Sequence, residues 1–119
     1  NFENLYFCDY GNNLIRKINL QNQIVSIVAG IPNSNITFNG NNLPALNTSL
    51  YFPNSLAFDR NFENLYFCDT SNNLIRKINI QNQIVSIVAG IPNSNVTFNG
   101  NNLAALNTTL FGPNSLAFD

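Results

Sequence analysis

Leu65-Tyr66-Phe67-Cys68-Asp69-Thr70-Ser71-Asn72-Asn73-Leu74-Ile75-Arg76-Lys77-Ile78 reads as two short strands folded about a polar turn. Residues 65–68 are apolar and aromatic, the composition of a strand. Residues 70–73 are a turn cluster, and 74–78 form the second strand. Further out, 79–83 make another turn, and 84–88 form a third strand stopped by Ala89-Gly90. A long polar stretch, 91–114, carries Pro92, Gly100, Gly112 and Pro113. Residues 115–118 form a fourth short strand. No stretch of ten residues keeps the i, i+3, i+4 apolar spacing of a helix.

Upstream, the same pattern appears again. Residues 1–59 and 61–119 align without a gap. They differ only at Tyr10/Thr70, Gly11/Ser71, Leu20/Ile80, Ile36/Val96, Pro44/Ala104, Ser49/Thr109, Tyr51/Phe111 and Phe52/Gly112. The strands of the first copy are expected near 5–8, 14–18, 24–28 and 55–58. The chain is thus two repeats, 1–60 and 61–119. A repeat of this length cannot bury its own apolar faces and needs neighbours. Leu-Tyr-Phe-Cys and Ile-Val-Ser-Ile-Val are apolar on both faces, so their sheet is sandwiched between two others. Four-stranded antiparallel sheets stacked face to face around an axis make a β-propeller, an all-β fold.

Composition agrees with a packed domain. Hydrophobic residues make up 45% and charged residues 9% of the 119, against about 25% charged in an average protein. Asparagine, present 26 times, takes the place of charge and suits turns and left-handed backbone. The net charge of -1 and the lack of any basic patch beyond Arg16-Lys17 and Arg76-Lys77 disfavour nucleic acid and anionic membranes. No apolar run reaches the roughly 20 residues of a membrane-spanning helix. The chain contains no methionine, so an excised or engineered fragment of something longer is expected.

The stretch Asn64 to Ile78 resembles the NHL repeat, whose core reads "NLYVADTGNNRIRKI". Val85-Ser86-Ile87-Val88-Ala89-Gly90 is similar to its "VTTVAG". Phe38-Asn39-Gly40-Asn41-Asn42-Leu43-Pro44-Ala45 resembles its "YSGDGGPA" loop, and Pro53-Asn54-Ser55-Leu56-Ala57-Phe58-Asp59 its "PSGVAVD". The resemblance implies propeller blades whose innermost strand, a, is the "LAFD" segment. The loop acid of the family is Asn41 here, and Ala104 replaces Pro44 in the second copy. No ligand role of that acid is carried over.

In blade terms the strand order is b-c-d-a-b-c-d-a. The first blade lacks its inner strand, and the last strand lacks its blade. Strand exchange is therefore expected: Leu116 and Phe118 of one chain against Leu5 and Phe7 of the next. Such a contact joins two different surfaces and must close into a ring or run on as a filament. The resemblance favours six blades, hence a homotrimer, with a tetramer of eight blades as the alternative. A piece of a longer single-chain propeller is the third possibility.

Chemistry is sparse. There is no histidine, which removes Ser-His-Asp and Cys-His pairs and the usual zinc sites. The resemblance extends to metal-dependent lyases with NHL-like propellers, and the same absence argues against that activity. The acids Glu3, Asp9, Asp59, Glu63, Asp69 and Asp119 are three positions repeated and dispersed. No catalytic residue, cofactor or metal is expected. Asp9, Asp69, Asp59 and Asp119 are read as turn acceptors, and Glu3 and Glu63 as facing water. Of each Arg-Lys pair, the Arg is the better member to enter a blade interface. Cys8 and Cys68, equivalent in successive repeats, are expected to be unpaired thiols. The sequons at Asn35, Asn47, Asn95 and Asn107 all lie in the long loop. A functional reading thus rests on assembly: a non-enzymatic scaffold whose partner is itself. The alternative is a glycan- or protein-binding face built on the Asn-rich loops, with Asn12, Asn13, Asn72 and Asn73 as candidate contacts.

Overall fold

The computed structural model describes residues 3–119. These are all-β apart from short 3-10 turns. The strands are β1 (Asn4–Asp9), β2 (Leu14–Asn19), β3 (Val25–Ala29), β4 (Leu43–Pro44), β5 (Pro53–Phe58), β6 (Asn64–Asp69), β7 (Leu74–Asn79) and β8 (Ile84–Ala89). They form two antiparallel sheets, β1-β2-β3 and β4-β8-β7-β6-β5, and the sheets do not close on one another.

Register is the same in both repeats. Leu5 faces Ile18, Phe7 faces Arg16 and Asp9 faces Leu14 in the first sheet. Leu65, Phe67 and Asp69 face Ile78, Arg76 and Leu74 in the second. A 3-10 turn joins each such pair, Tyr10–Asn12 and Thr70–Asn72. It ends at Asn13 and Asn73, both at φ 60, a left-handed position that Asn tolerates. The next turn is closed by asparagine side chains: Asn79 Oδ1 accepts from the N–H groups of Gln81 and Asn82, and Asn19 does the same for Gln21 and Asn22.

The interface between the sheets is the core. Ile15 and Ala29 of the first sheet pack with Leu65, Phe67, Ile78 and Val85 of the second, and Ala45 and Leu50 of the long loop join them. Alternation along each strand sends the other faces outward.

Three features differ from the sequence expectation. The long loop is not all loop: β4 pairs with the outer edge of β8, Leu43 opposite Val85 and Pro44 opposite Ile84. Residues 31–54 thus leave the first sheet and clasp the second. β5 starts at Pro53, before the expected Ser55, and bulges between Asn54 and Leu56, with Ser55 at φ 63. Finally, 115–118 is not a strand. A strand needs a ladder of hydrogen bonds, and the chain offers this segment no second strand to pair with. It nonetheless packs against the second sheet. Phe118 meets Tyr66 edge-to-face at 5.1–5.2 Å between centroids, as Phe58 meets Tyr6, and Leu116 N–H reaches Ser55 Oγ at 3.3 Å.

Candidate functional site

The polar centre of the junction between the sheets is Asp69 and Arg76. Asp69 ends β6 and Arg76 lies opposite Phe67 on β7, so both side chains point to the face covered by the first repeat. Arg76 Nη1 sits 3.0 Å from Asp69 Oδ2, and neither side chain is accessible. The first-repeat loop completes the shell. Gly40 O accepts from Arg76 Nη2 at 3.0 Å and Ser49 O from Nη1 at 3.3 Å. The Phe38 ring lies 5.3 Å from the guanidinium carbon. Tyr51 N–H donates to Asp69 Oδ1 at 2.8 Å. Burial raises the Asp69 carboxyl above its ordinary value, against the pull of Asn72, Arg76 and the Tyr51 N–H. Burial likewise lowers Arg76, with Asp69 opposing. Both shifts express the cost of taking a charged pair out of water.

Asp69 was expected to hold its own turn. It makes no cap hydrogen bond to that turn's backbone; its oxygens go to Arg76, Asn72 and the incoming loop. Asp59, by contrast, does act as a turn acceptor, for the N–H groups of Glu63 and Asn64.

The same constellation exists in the first repeat without its cover. Arg16 Nη1 lies 3.1 Å from Asp9 Oδ2, with 32% and 23% of the two side chains accessible. Asn12 hydrogen-bonds Asp9, and these two bonds hold the Asp9 carboxyl below its ordinary value. The apolar neighbours follow suit. Leu5 is 53% exposed where Leu65 is 1%, and Val25 is 41% exposed where Val85 is 0%. Conversely, in the second repeat it is the long loop that is bare: Phe98, Leu103 and Phe111 are exposed, as is Phe118 beyond it.

The candidate asparagines are used internally. Asn12 and Asn72 donate to Asp9 and Asp69, and Asn72 also to Thr37 O. Asn13 Oδ1 accepts from Phe52 N–H and Asn73 Oδ1 from Gly112 N–H. These bonds do gather the strand b–c turn and the long loop on one face. There Tyr10, Phe52 and Tyr51 stack in series, 4.8 and 5.1 Å between centroids. Leu5 and Phe7 line the free edge of the first sheet, exposed and half-buried respectively. Beside that edge runs an open groove of about 650 Å3, between β1 and Leu56, Phe58 and Leu65.

Cys8 and Cys68 are free thiols, and burial, with Cys68 nearby, pushes Cys8 up to about 11. Asn35, Asn47, Asn95 and Asn107 are all exposed. No group of His, Cys, Asp and Glu that could hold a metal occurs among the described residues.

No family model and no curated protein matches the sequence, so the NHL likeness stands as a likeness of motifs. Solved structures do match. A protein of unknown function from Bacteroides thetaiotaomicron is similar at a TM-score of 0.79 and 22% identity, over 98% of this chain and 27% of that one. Two proteins described as auxiliary nutrient binding proteins, from B. thetaiotaomicron and Bacteroides ovatus, match at TM-scores of 0.69 and 0.68. Their identities are 17% and 19%, over 98% of this chain and 30% of each of theirs. The chain thus spans under a third of those proteins, and at such identities the likeness is one of fold.

Proposed function

We propose that the chain is a non-enzymatic, self-assembling pair of β-propeller blades whose partner is a second copy of itself. One observation carries this reading: residues buried in one repeat are exposed at the equivalent place in the other. The bare face of the first repeat is the kind of surface that the first-repeat loop already covers on the second. The bare loop of the second repeat is the kind that does the covering. Residues 115–118 would enter the groove beside β1 and supply its missing inner strand, in the register that β5 keeps with β6. Phe118 would then oppose Leu5, and Leu116 would oppose Phe7.

Energetics favour the match. Burying each exposed Leu, Val or Phe contributes roughly 1.5–3 kcal/mol. Leu5, Val25, Phe98, Leu103, Phe111 and Phe118 together reach the scale of the roughly 4–15 kcal/mol that association costs. Pairing also relieves the open edge of β1, which would otherwise invite aggregation. The contact is heterologous, and closure into a ring gains one more interface than an open chain of the same length. The NHL likeness supports six blades and hence a homotrimer.

A mass measurement in solution tests this. Three chains are expected. Four would keep the exchange and make eight blades, whereas a well-folded species of one chain at all concentrations would overturn the reading.

A second reading is a glycan- or protein-binding loop face. The Tyr10–Phe52–Tyr51 stack favours it, because Tyr10 leaves an aromatic face exposed beside amide side chains. Two of the similar structures are described as nutrient binding proteins. Binding on a glycan array that Tyr10→Ala abolishes would support it; an array with no signal would reject its glycan form.

A further inference from the structure

We infer that Asp9 and Arg16 are a receptor for the second-repeat loop of a neighbouring copy: Phe98 would lie over the Arg16 guanidinium, the carbonyls of Gly100 and Thr109 would accept from it, and the Phe111 N–H would donate to Asp9. This clasp rests on the assembly reading but is distinct from strand exchange: it engages side chains on the face of the first sheet, Asp9 at the end of β1 and Arg16 on β2, whereas the exchange engages the backbone edge of β1.

The occupant is identified by the chain's own replica. Every contact named has its counterpart inside the molecule, where Phe38, Gly40, Ser49 and Tyr51 occupy Asp69 and Arg76. The aromatic identity is kept at Phe98 and Phe111, and a hydroxyl residue at Thr109, although Ser49 and Tyr51 themselves changed. The remaining contacts are by backbone, which substitution leaves in place.

Both halves hold the right shape before they meet. In the receptor, Asp9 has φ -88 and ψ 77 against -89 and 75 at Asp69, and the ion pair is 3.1 Å against 3.0 Å. In the loop, Asn99 Nδ2 donates to Asn107 O at 2.9 Å and Asn99 Oδ1 accepts from Thr109 N–H at 3.0 Å. Asn39 makes the same two bonds at 2.8 Å in the seated loop. Gly100 and Asn102 stand at φ 132 and 60, where Gly40 and Asn42 stand at 137 and 58. The empty loop is therefore folded as the seated one is, and docking orders little. A planar guanidinium flanked by a ring on one side and carbonyls at its edge is a demanding target, so the clasp also fixes which face meets which.

Arg16→Ala and Phe98→Ala, measured by sedimentation equilibrium across a dilution series, test the clasp. Phe98 is three-quarters exposed, so its removal leaves the fold of the single chain alone. Each variant should weaken association about tenfold or more, with unchanged far-UV circular dichroism. The double variant should weaken it by less than the product of the two, since both remove one contact. Wild-type affinity in both single variants, with deletion of 115–119 still lowering the mass, would overturn the clasp and leave strand exchange standing. A wild type of one chain throughout would overturn both.

Discussion

Arg76 is among the largest side chains fully enclosed in this molecule, and it carries a charge. It survives there because Asp69, two carbonyls and an aromatic ring surround its guanidinium. Arg76→Ala should therefore lower stability by about 3–5 kcal/mol, since it strands Asp69 unpaired in the core. Urea unfolding monitored by circular dichroism would read this, and a loss near zero would show that the pair is not what organises the junction. Asp59 behaves differently because it stays at the surface. The Asn64 side chain, with the backbone N–H groups of Asn64 and Glu63 and the charge of Lys77, holds its carboxyl below the ordinary value, which is about 3.9. The unfolded chain therefore takes up this proton first as pH falls. The stability that Asp59 contributes is complete above the ordinary value and is lost as pH drops through its folded-state pKa. Asp59→Asn should flatten the acid limb of the unfolding curve below the ordinary carboxylate range; an unchanged limb would assign the acid sensitivity elsewhere. At this scale the sequence was partly legible. Strand alternation sends one member of the Arg-Lys pair to the interface, and the planar fork of Arg favours it there. The role of Asp69 does not follow in this way, because one of its oxygens accepts from Tyr51 N–H, in a loop whose path no local pattern encodes.

The elements follow their residues closely where pairing is local. The b-c-d meanders are set by apolar runs of about five residues and by Asn-rich turns, and the strands fall within a residue or two of their expected bounds. β4 was missed because two residues that contain a proline carry no periodic signal; the strand exists only because the edge of β8 is there to receive it. The end of strand d gives a sharper dependence. Gly90 stands at φ +104, and a Cβ there would sit 2.6 Å from Asn73 O and 2.9 Å from Leu74 Cδ2. Gly90→Ala should cost roughly 1–3 kcal/mol from backbone strain alone, with the clash adding to it. Gly11→Ser, which installs the residue found at 71, meets nothing within 4 Å and should be close to neutral. Thermal unfolding of the pair would separate them, and equal melting temperatures would show that the turn relaxes freely.

For the whole molecule, the two copies of the repeat are covered unequally. Two faces whose counterparts within the chain are covered stand bare, one at the first sheet and one at the second loop. The all-β architecture was legible because it is written twice. How many such sheets an assembly would stack was not, because the angle between sheets depends on how their side chains interdigitate, and one junction does not fix closure. Deleting 115–119 should lower the assembly state, because β1 would lose its donated partner. If the shortened chain formed the same species at the same stability, the exchange would be wrong.

The clasp across the outer edge of the second sheet has a consequence that can be read one amide at a time. Ile87 N–H is held by Asn41 Oδ1 at 2.9 Å, whereas its counterpart Ile27 lies on the uncovered β3 edge. In deuterated water Ile87 should therefore exchange slowly at every protein concentration. Ile27 should exchange quickly in dilute solution and slow down as copies associate, because protection follows the free energy of opening. A concentration-independent rate at Ile27 would mean that no loop arrives there. A slowing that tracks the measured mass would turn one backbone proton into a counter of occupied junctions.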